Sequence, residues 1–461
     1  MNEFVFGDGS VGLLRPLLSP ATIAEALDAV RAKDAERLSK VIFSLHPADI
    51  ADLLEQINRR DRRALLALLS QRLDGRVLSE LEEHLRGEII GLLDPDVAAE
   101  IVRDLQSDDQ VDILEDLGRE ERARILAALG GPDRIRAESA LSWPEDSAGR
   151  LMQHEAATVP LGWTVGEAID DLRARPHVPE DFYHLVLMGE DGRPVGLVSL
   201  GRLLSSARET SLEEIAAPEF RTFPADLPEE EVAYIFNQYH EITVPVVDGD
   251  GKFVGIVTVD DAMTVLDEEH EEDMLKMGGV GEESSLSDGV MKTSQRRLPW
   301  LGVATVNSLV VAMTISIFED AIEQLVALAI LMPMVAAIGG AAGTQALTVA
   351  VRGLATRDLT GANQLRIIGR ETLTGALNGA VLAVVLGLIA LIWFGMTDLA
   401  LVVGMAMAAT ITTAGLTGVC VPILLDKVGF DPALASGTFV TTAIDVLGFF
   451  TFLWLATVLI L

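Results

Sequence analysis

Five apolar runs fill the last third of this chain, at roughly 299–317, 324–350, 372–394, 399–425 and 435–461. Each is long enough to cross a hydrocarbon core of ~30 Å, which takes ~20 helical residues. One such run alone could be a core helix of a soluble domain. Five in succession, with only nine acidic residues among them and their loops, point to a membrane-embedded helical unit.

The rest of the chain has the opposite character. From Arg296 onward there are 7 basic and 9 acidic residues, whereas the part before it holds 28 basic and 60 acidic, a net of −32 out of −34. That balance excludes nucleic acid as a partner, because phosphate recognition needs clustered Lys and Arg. It suits cations as ligands, or it is simply a solubilising surface. Cys420 is the single cysteine, so no intramolecular disulfide forms. The seven histidines are scattered without zinc-ligand spacing. No nucleophile–base motif, phosphate-cradling Gly loop or metal-hydrolase signature occurs, and we expect no enzyme.

Loop charge gives an orientation. Arg296 and Arg297 precede the first run, Arg352, Arg357, Arg366 and Arg370 lie between the second and third, and Lys427 lies between the fourth and fifth. The other two loops carry Glu319, Asp320, Glu323 and Asp398 and no base. Basic loops stay cytoplasmic. The N-terminus is therefore expected inside and the C-terminus outside an inner (plasma) membrane. Met1 to Pro20 lacks a basic start followed by a long apolar core, which agrees with a cytosolic first half.

Within that half, apolar residues recur at helical spacing, as in Ile50, Leu53, Leu54 and Ile57. Pro47 and Pro95 sit where a first helical turn accepts proline. HPADIADLLEQI (46–57) resembles DPDVAAEIVRDL (94–105), and RRDRRALLALL (59–69) resembles REERARILAAL (119–129). A weak repeat of helix pairs or an ordinary helical bundle both fit. Further on, one pattern occurs twice, in HLVLMGEDGRPVGLVSLGRLL (184–204) and VPVVDGDGKFVGIVTVDDAMTVL (244–266). Each reads as strand, Asp-Gly turn, strand, helix. Gly196 and Gly255 stand 59 residues apart in equivalent positions. This duplication resembles a tandem pair of cystathionine-β-synthase (CBS) domains. A polar helix and a Gly/Ser-rich link follow.

The expected organisation is a tail (1–20), an acidic all-α helical-repeat N-domain (21–138), two α/β CBS domains (139–206 and 207–269), a connecting helix with linker (270–295) and a five-helix transmembrane domain (296–461). Asp445 stands about ten residues into the fifth run. A buried Asp there costs ~2.5–3.5 kcal/mol on insertion scales, so it should face water, an ion or another helix. Thr441, Thr442 and Gly448 make the same helix face polar and close-packing. PMVAAIGGAAGTQAL (333–347) carries Pro333 and the small residues Gly339, Gly340, Ala341 and Gly343, with Gln345 as a polar group needing a partner.

With those residues in view, the chain is similar to the MgtE family of magnesium channels over nearly its whole length. The most specific stretches are EDSAGRLM (145–152), RLPWL (297–301), FEDAIEQLVALAILMPMV (318–335), GTQALTVAVRGLATRDL (343–359) and DPALASGTFVTTAIDVLG (431–448). The resemblance implies a homodimer in the lipid bilayer with its pore on the two-fold axis. Asp445 matches the pore aspartate that holds hydrated Mg²⁺. HEEDMLKMGGV (270–280) resembles a plug helix resting on the pore mouth. Asp260, Asp261, Asp267, Glu269, Glu272 and Asp273 cluster around its start, and Asp109 and Asp112 match acidic N-domain positions facing the CBS domains. Mg²⁺ shared between these carboxylates would favour a closed channel; a solvated acidic face is the alternative. Thr258 and Asp261 keep a Thr-x-x-Asp pattern that in CBS domains holds a nucleotide ribose, so ATP or another adenosine nucleotide is implied at the second copy. The first copy has Ser199-x-x-Arg202 instead. A second departure is Ala341, where the family motif Gly-Gly-Asn has Asn. This keeps open a channel for another divalent ion, such as Co²⁺ or Mn²⁺. A third reading is a membrane-anchored sensor of ions or adenosine ligands that conducts nothing.

Overall fold

The computed structural model describes residues 3–5, 11–13, 18–69, 74–93, 95–175, 178–179, 182–280, 284 and 289–461. They fall into two compact units, Met1–Leu266 and Asp267–Leu461.

The first unit opens on a short antiparallel pair, Glu3–Val5 with Val11–Leu13. Short helices then follow from Pro20 to Ala140. Their starts are chemically marked. Ser19 accepts from the Thr22 amide ahead of Pro20, and His46 and Asp49 form a reciprocal cap around Pro47. Helix Pro47–Gln56 runs directly into Arg59–Leu69. In the second half of the resemblance an extra helix, α1 (Ser107–Glu115), separates Pro95–Arg103 from Arg119–Leu129. The inward faces are leucine-rich, with Leu53, Leu54, Leu65, Leu78 and Ile113 fully buried. Arg62 is also buried, and its guanidinium donates to the Leu54 carbonyl (2.7 Å) and the Ile57 carbonyl (3.2 Å).

The duplicated segment forms two three-stranded sheets of the same topology. In the first, β1 (Thr158–Pro160) is parallel to β2 (His184–Met188), which pairs antiparallel with β3 (Pro194–Ser199). In the second, β4 (Phe223–Pro224), β5 (Thr243–Val247) and β6 (Phe253–Thr258) repeat the order. Both registers slip near the same place, at Leu187/Met188 and at Val246/Val247. Gly192 and Gly251 hold φ of 77° and 78°, the left-handed conformation that an Asp-Gly hairpin turn requires. The two turns dock on each other through Phe253 N–H to the Gly192 carbonyl (3.0 Å) and the Arg193 guanidinium to the Asp250 carbonyl (2.8 Å).

EDSAGRLM joins the helices to the second sheet. The Ala148 and Gly149 amides donate to the Leu227 and Ala225 carbonyls, both at 2.8 Å. A Cβ at Gly149 would lie 2.6 Å from Trp143 Cγ, so only glycine fits. Arg150 ties the segment back to α1 through Glu115 at 2.6 Å and also caps the Leu141 and Trp143 carbonyls.

Helix α2 (Val259–Gly278) is one uninterrupted helix. The division expected at 269/270 falls inside it, because nothing in VDDAMTVLDEEHEEDMLKMG breaks a helix. Of the expected link, residues 281–283 and 285–288 lie outside the described residues, and from Val290 the chain is helical again.

Among the described residues, the second unit holds five helices long and apolar enough to cross a membrane: α3 (Val290–Ser316), α4 (Ala327–Ala355), α5 (Gln364–Phe394), α6 (Thr397–Val428) and α7 (Pro432–Leu459). A short helix, Glu319–Gln324, precedes α4, so the second span begins later than the apolar run does. Helix α6 is the most enclosed and packs against α4, α5 and α7, while α3 rests on α7 with none of its apolar stretch buried in the protomer. Pro299, Pro333 and Pro422 lie inside α3, α4 and α6.

Candidate ion-binding sites

Two places in the structure carry the chemistry the sequence points to, and the fold adds a third. The first is within the membrane helices. Asp445 lies mid-way along α7, and its Oδ1 is buried without a hydrogen-bond partner. Its orientation is set one residue earlier. Ile444 is fully packed, and its side chain fills the space left by Gly339 and Gly343 of α4. A Cβ at Gly343 would collide with Ile444 Cδ1, and one at Gly339 would meet Thr410 Cγ2 at 2.7 Å. The sequence motif on α4 therefore divides between two faces. Gly339 and Gly343 make the helix–helix contact. Pro333, Ala341 and Gln345 lie on the exposed face, and Gly340 opens onto free space. Thr441, one turn before Asp445, is exposed and donates to the Gly437 carbonyl (2.8 Å); Thr442 donates to the Thr438 carbonyl (2.7 Å). Both hydroxyl protons are used within the helix, which leaves oxygen lone pairs as what this face offers.

The second place is the acidic join inside the first unit. Asp108 and Asp109 occupy the first turn of α1, and Asp260 and Asp261 the first turn of α2. Helix N-termini favour anions, which partly offsets their mutual repulsion. The offset is incomplete. Asp261 is pushed up to about 7, chiefly by burial, and Asp260 and Asp109 add to the rise. Asp109 is pushed up to about 6 by burial and by Asp112. Burial and the charges of Asp261 and Asp109 hold Asp108 far above the usual carboxylate range. At neutral pH these carboxyls are harder to ionise than ordinary ones, and a nearby cation would favour their charged forms.

Other expected ligands sit elsewhere. Asp112 is exposed and engaged by Arg86, whose Nη1 also reaches Asp116 (2.6 and 2.9 Å). Asp267, Glu269, Glu272 and Asp273 continue along α2 away from the join. Among the described residues, no three His, Cys, Asp or Glu side chains form a ready-made metal site. Thr258 Oγ1 donates to Asp261 Oδ2 at 2.6 Å and accepts from Gln153 Nε2 at 3.2 Å, so the Thr-x-x-Asp pair is engaged with itself. Arg202 is tied to the Ile215 and Ala216 carbonyls.

Sequence reasoning missed Asp108, although it belongs to an i, i+4, i+8 stripe with Asp112 and Asp116. It also missed Glu155, which accepts from both the amide (3.3 Å) and hydroxyl (2.7 Å) of Ser107 and so caps α1 from across the join. The third place was missed as well. Lys276, in the last turn of α2, pairs with Glu272 (2.9 Å) and Asp431 (3.2 Å). Asp431 directly before Pro432 is an N-cap signature that the sequence does carry.

Comparison with known proteins agrees with this architecture. A family model described as "Divalent cation transporter" matches residues 332–455, one described as "MgtE intracellular N domain" matches 45–146, and the CBS domain model matches 148–209 and 212–268. The chain is 34% identical over 318 residues to a magnesium transporter MgtE of Bacillus subtilis, covering 69% of this chain and 70% of that protein. It belongs to the MgtE family. A magnesium transporter MgtE of Thermus thermophilus is 35% identical over 318 residues, covering 68% of this chain and 70% of that protein. A solved cytosolic domain of the Mg²⁺ channel MgtE in complex with ATP is 32% identical, with a TM-score of 0.49, covering 53% of this chain and 99% of that one. The multidomain helical membrane fold with paired CBS domains is thus that of a membrane transporter family.

Proposed function

We propose that this chain carries Mg²⁺ across the cytoplasmic membrane as a homodimer, through a path lined by Asp445. The carrying observation is the buried Asp445 oxygen with no hydrogen-bond partner, on a helix whose hydroxyl protons are already used. A carboxylate is costly in such surroundings unless water or a cation reaches it. Mg²⁺ sheds its water reluctantly and is held by one or two carboxylates through that water. Two symmetry-related Asp445 side chains would suit it. The charge of the loops supports an N-terminus inside and a C-terminus outside.

The acidic join is read as the sensor. With Mg²⁺ bound between α1 and α2, the assembly closes; without it, the carboxylates repel and the elements separate. A nucleotide held by Thr258 and Asp261 would first have to break their mutual hydrogen bond, so the cation reading of Asp261 is preferred over the ribose reading.

Ion flux into liposomes tests conduction. Asp445→Ala is expected to abolish Mg²⁺ flux while leaving the protein folded, and unchanged flux would remove the assignment. Ala341→Asn, on the exposed face of α4, is expected to change the ratio of Mg²⁺ to Co²⁺ or Mn²⁺ flux. A native chain that moves no ion at all would make it a membrane-anchored sensor.

A further inference from the structure

The last turn of α2 is tied into the second unit in three ways. The Lys276 side chain is nearly buried, only 12% exposed, and it bridges Glu272 on its own helix and Asp431 at the start of α7. Asp431 in turn accepts from the Ala433 amide at 2.7 Å and caps α7, the helix that bears Asp445. The neighbouring Met277 packs into an apolar cluster formed by Leu347 and Val351 of α4, Ala414 of α6, and Val440 and Ile444 of α7. The Met277 carbonyl lies 3.6 Å from where a Cβ of Gly437 would be.

The charges suit their helix ends. An ammonium stands at the negative C-terminal end of α2 and a carboxylate at the positive N-terminal end of α7, so each is favoured by its own helix before they meet. Burial alone would lower the Lys276 pKa, but Glu272 and Asp431 outweigh it and the group lies above its ordinary value.

We propose that Lys276 is a built-in cation that docks the end of α2 on the start of the pore helix with no divalent ion present. A divalent ion that binds Glu272 and Asp431 then replaces a charge already in place instead of creating the contact. The consequence for gating rests on the conduction reading above, but the docking itself does not.

The test uses the full chain in lipid nanodiscs, with Cys420→Ala and paired spin labels at the exposed positions Met274 and Val428. In EDTA, the native chain should give one narrow inter-label distance that added Mg²⁺ leaves nearly unchanged. Lys276→Met should lose most of that component in EDTA, by several-fold, and recover it with Mg²⁺. Lys276→Arg should retain it, and Glu272→Gln should weaken it in the same direction as Lys276→Met. A native chain that shows the narrow distance only with Mg²⁺, or a Lys276→Met chain as docked in EDTA as the native, overturns the proposal. Recovery with Mg²⁺ separates a lost latch from a misfolded variant. Failure of the conduction reading shows in Asp445→Ala flux and leaves these distances untouched.

Discussion

The acidic join makes a prediction with a sign and a size. An ordinary Asp has a pKa of 3.8, whereas that of Asp261 is pushed up to about 7 in the fold. The folded state thus binds more protons than the unfolded state across that interval, and stability falls as pH rises through it. The contribution is fully favourable below about pH 4 and lost above about pH 7. At 1.36 kcal/mol per pH unit, the interval from 3.8 to about 7 corresponds to about 4 kcal/mol. That is an upper bound for a single substitution, because Asp108, Asp109 and Asp260 relax when one charge goes. Asp261→Asn should therefore stabilise the metal-free protein at pH 8 by about 2–4 kcal/mol. It should also flatten the loss of stability between pH 5 and 8. In the native protein, Mg²⁺ must displace protons at pH 5 but not at pH 8. Millimolar-range Mg²⁺ should then raise the unfolding temperature by several degrees at pH 8 and hardly at all at pH 5. Thermal unfolding of the full chain in detergent, followed by tryptophan fluorescence in EDTA and in Mg²⁺, measures all three quantities. An Asp261→Asn protein less stable than native at pH 8 without metal, or an equal Mg²⁺ effect at both pH values, would refute the reasoning.

Three further outcomes follow from packing and pairing. Gly343→Ala should destabilise the membrane unit by about 1–3 kcal/mol through overpacking on Ile444, and Ile444→Val in the same chain should restore part of it, read as the detergent unfolding midpoint. Arg86→Met removes the buried guanidinium that Asp112 and Asp116 share, and a loss of about 3–5 kcal/mol is expected in denaturant titrations. Gly149→Ala drives a Cβ into Trp143 and the Ala225 carbonyl, and faster proteolytic cleavage near residue 145 should report the loosened join.

The legible part of the fold is what local chemistry writes into short stretches. The five spans follow from apolar length, and the two hairpins from Asp-Gly turns whose glycines do take positive φ. Asp445 could be singled out because charge inside lipid is expensive wherever it occurs. What was hidden depends on partners distant in sequence. QSDDQVDIL contains three acids, and only Arg86, more than twenty residues earlier, decides that Asp112 is paired while Asp108 turns inward. The glycine motif on α4 reads as one unit, but helical phase splits it between a packing face and an open face. Lys276 gains its partner Asp431 from α7, more than 150 residues later in the chain, so no local signal marks it.

The two sites proposed above to take ions differ in chemistry, and under that proposal the difference suits a self-limiting channel. The join has two acids in the first turn of each of two helices, with the pKa values of Asp109 and Asp261 raised to about 6 and about 7. Under the proposed sensor reading, a cation there would remove a repulsion that already exists, and its binding would be coupled to conformation. Asp445 offers one carboxylate per chain, flanked by threonine oxygens whose protons are already committed. Under the conduction reading, an ion there would keep its water and leave readily, which conduction demands. On this reading the sensor fills at a lower Mg²⁺ concentration than the pore does, and the channel closes before the gradient is spent. Measuring the Mg²⁺ dependence of closure and of single-channel current in the same bilayer tests that order. Closure that half-saturates at a higher concentration than the current would reverse it, and the acidic join would then be a surface and not a sensor.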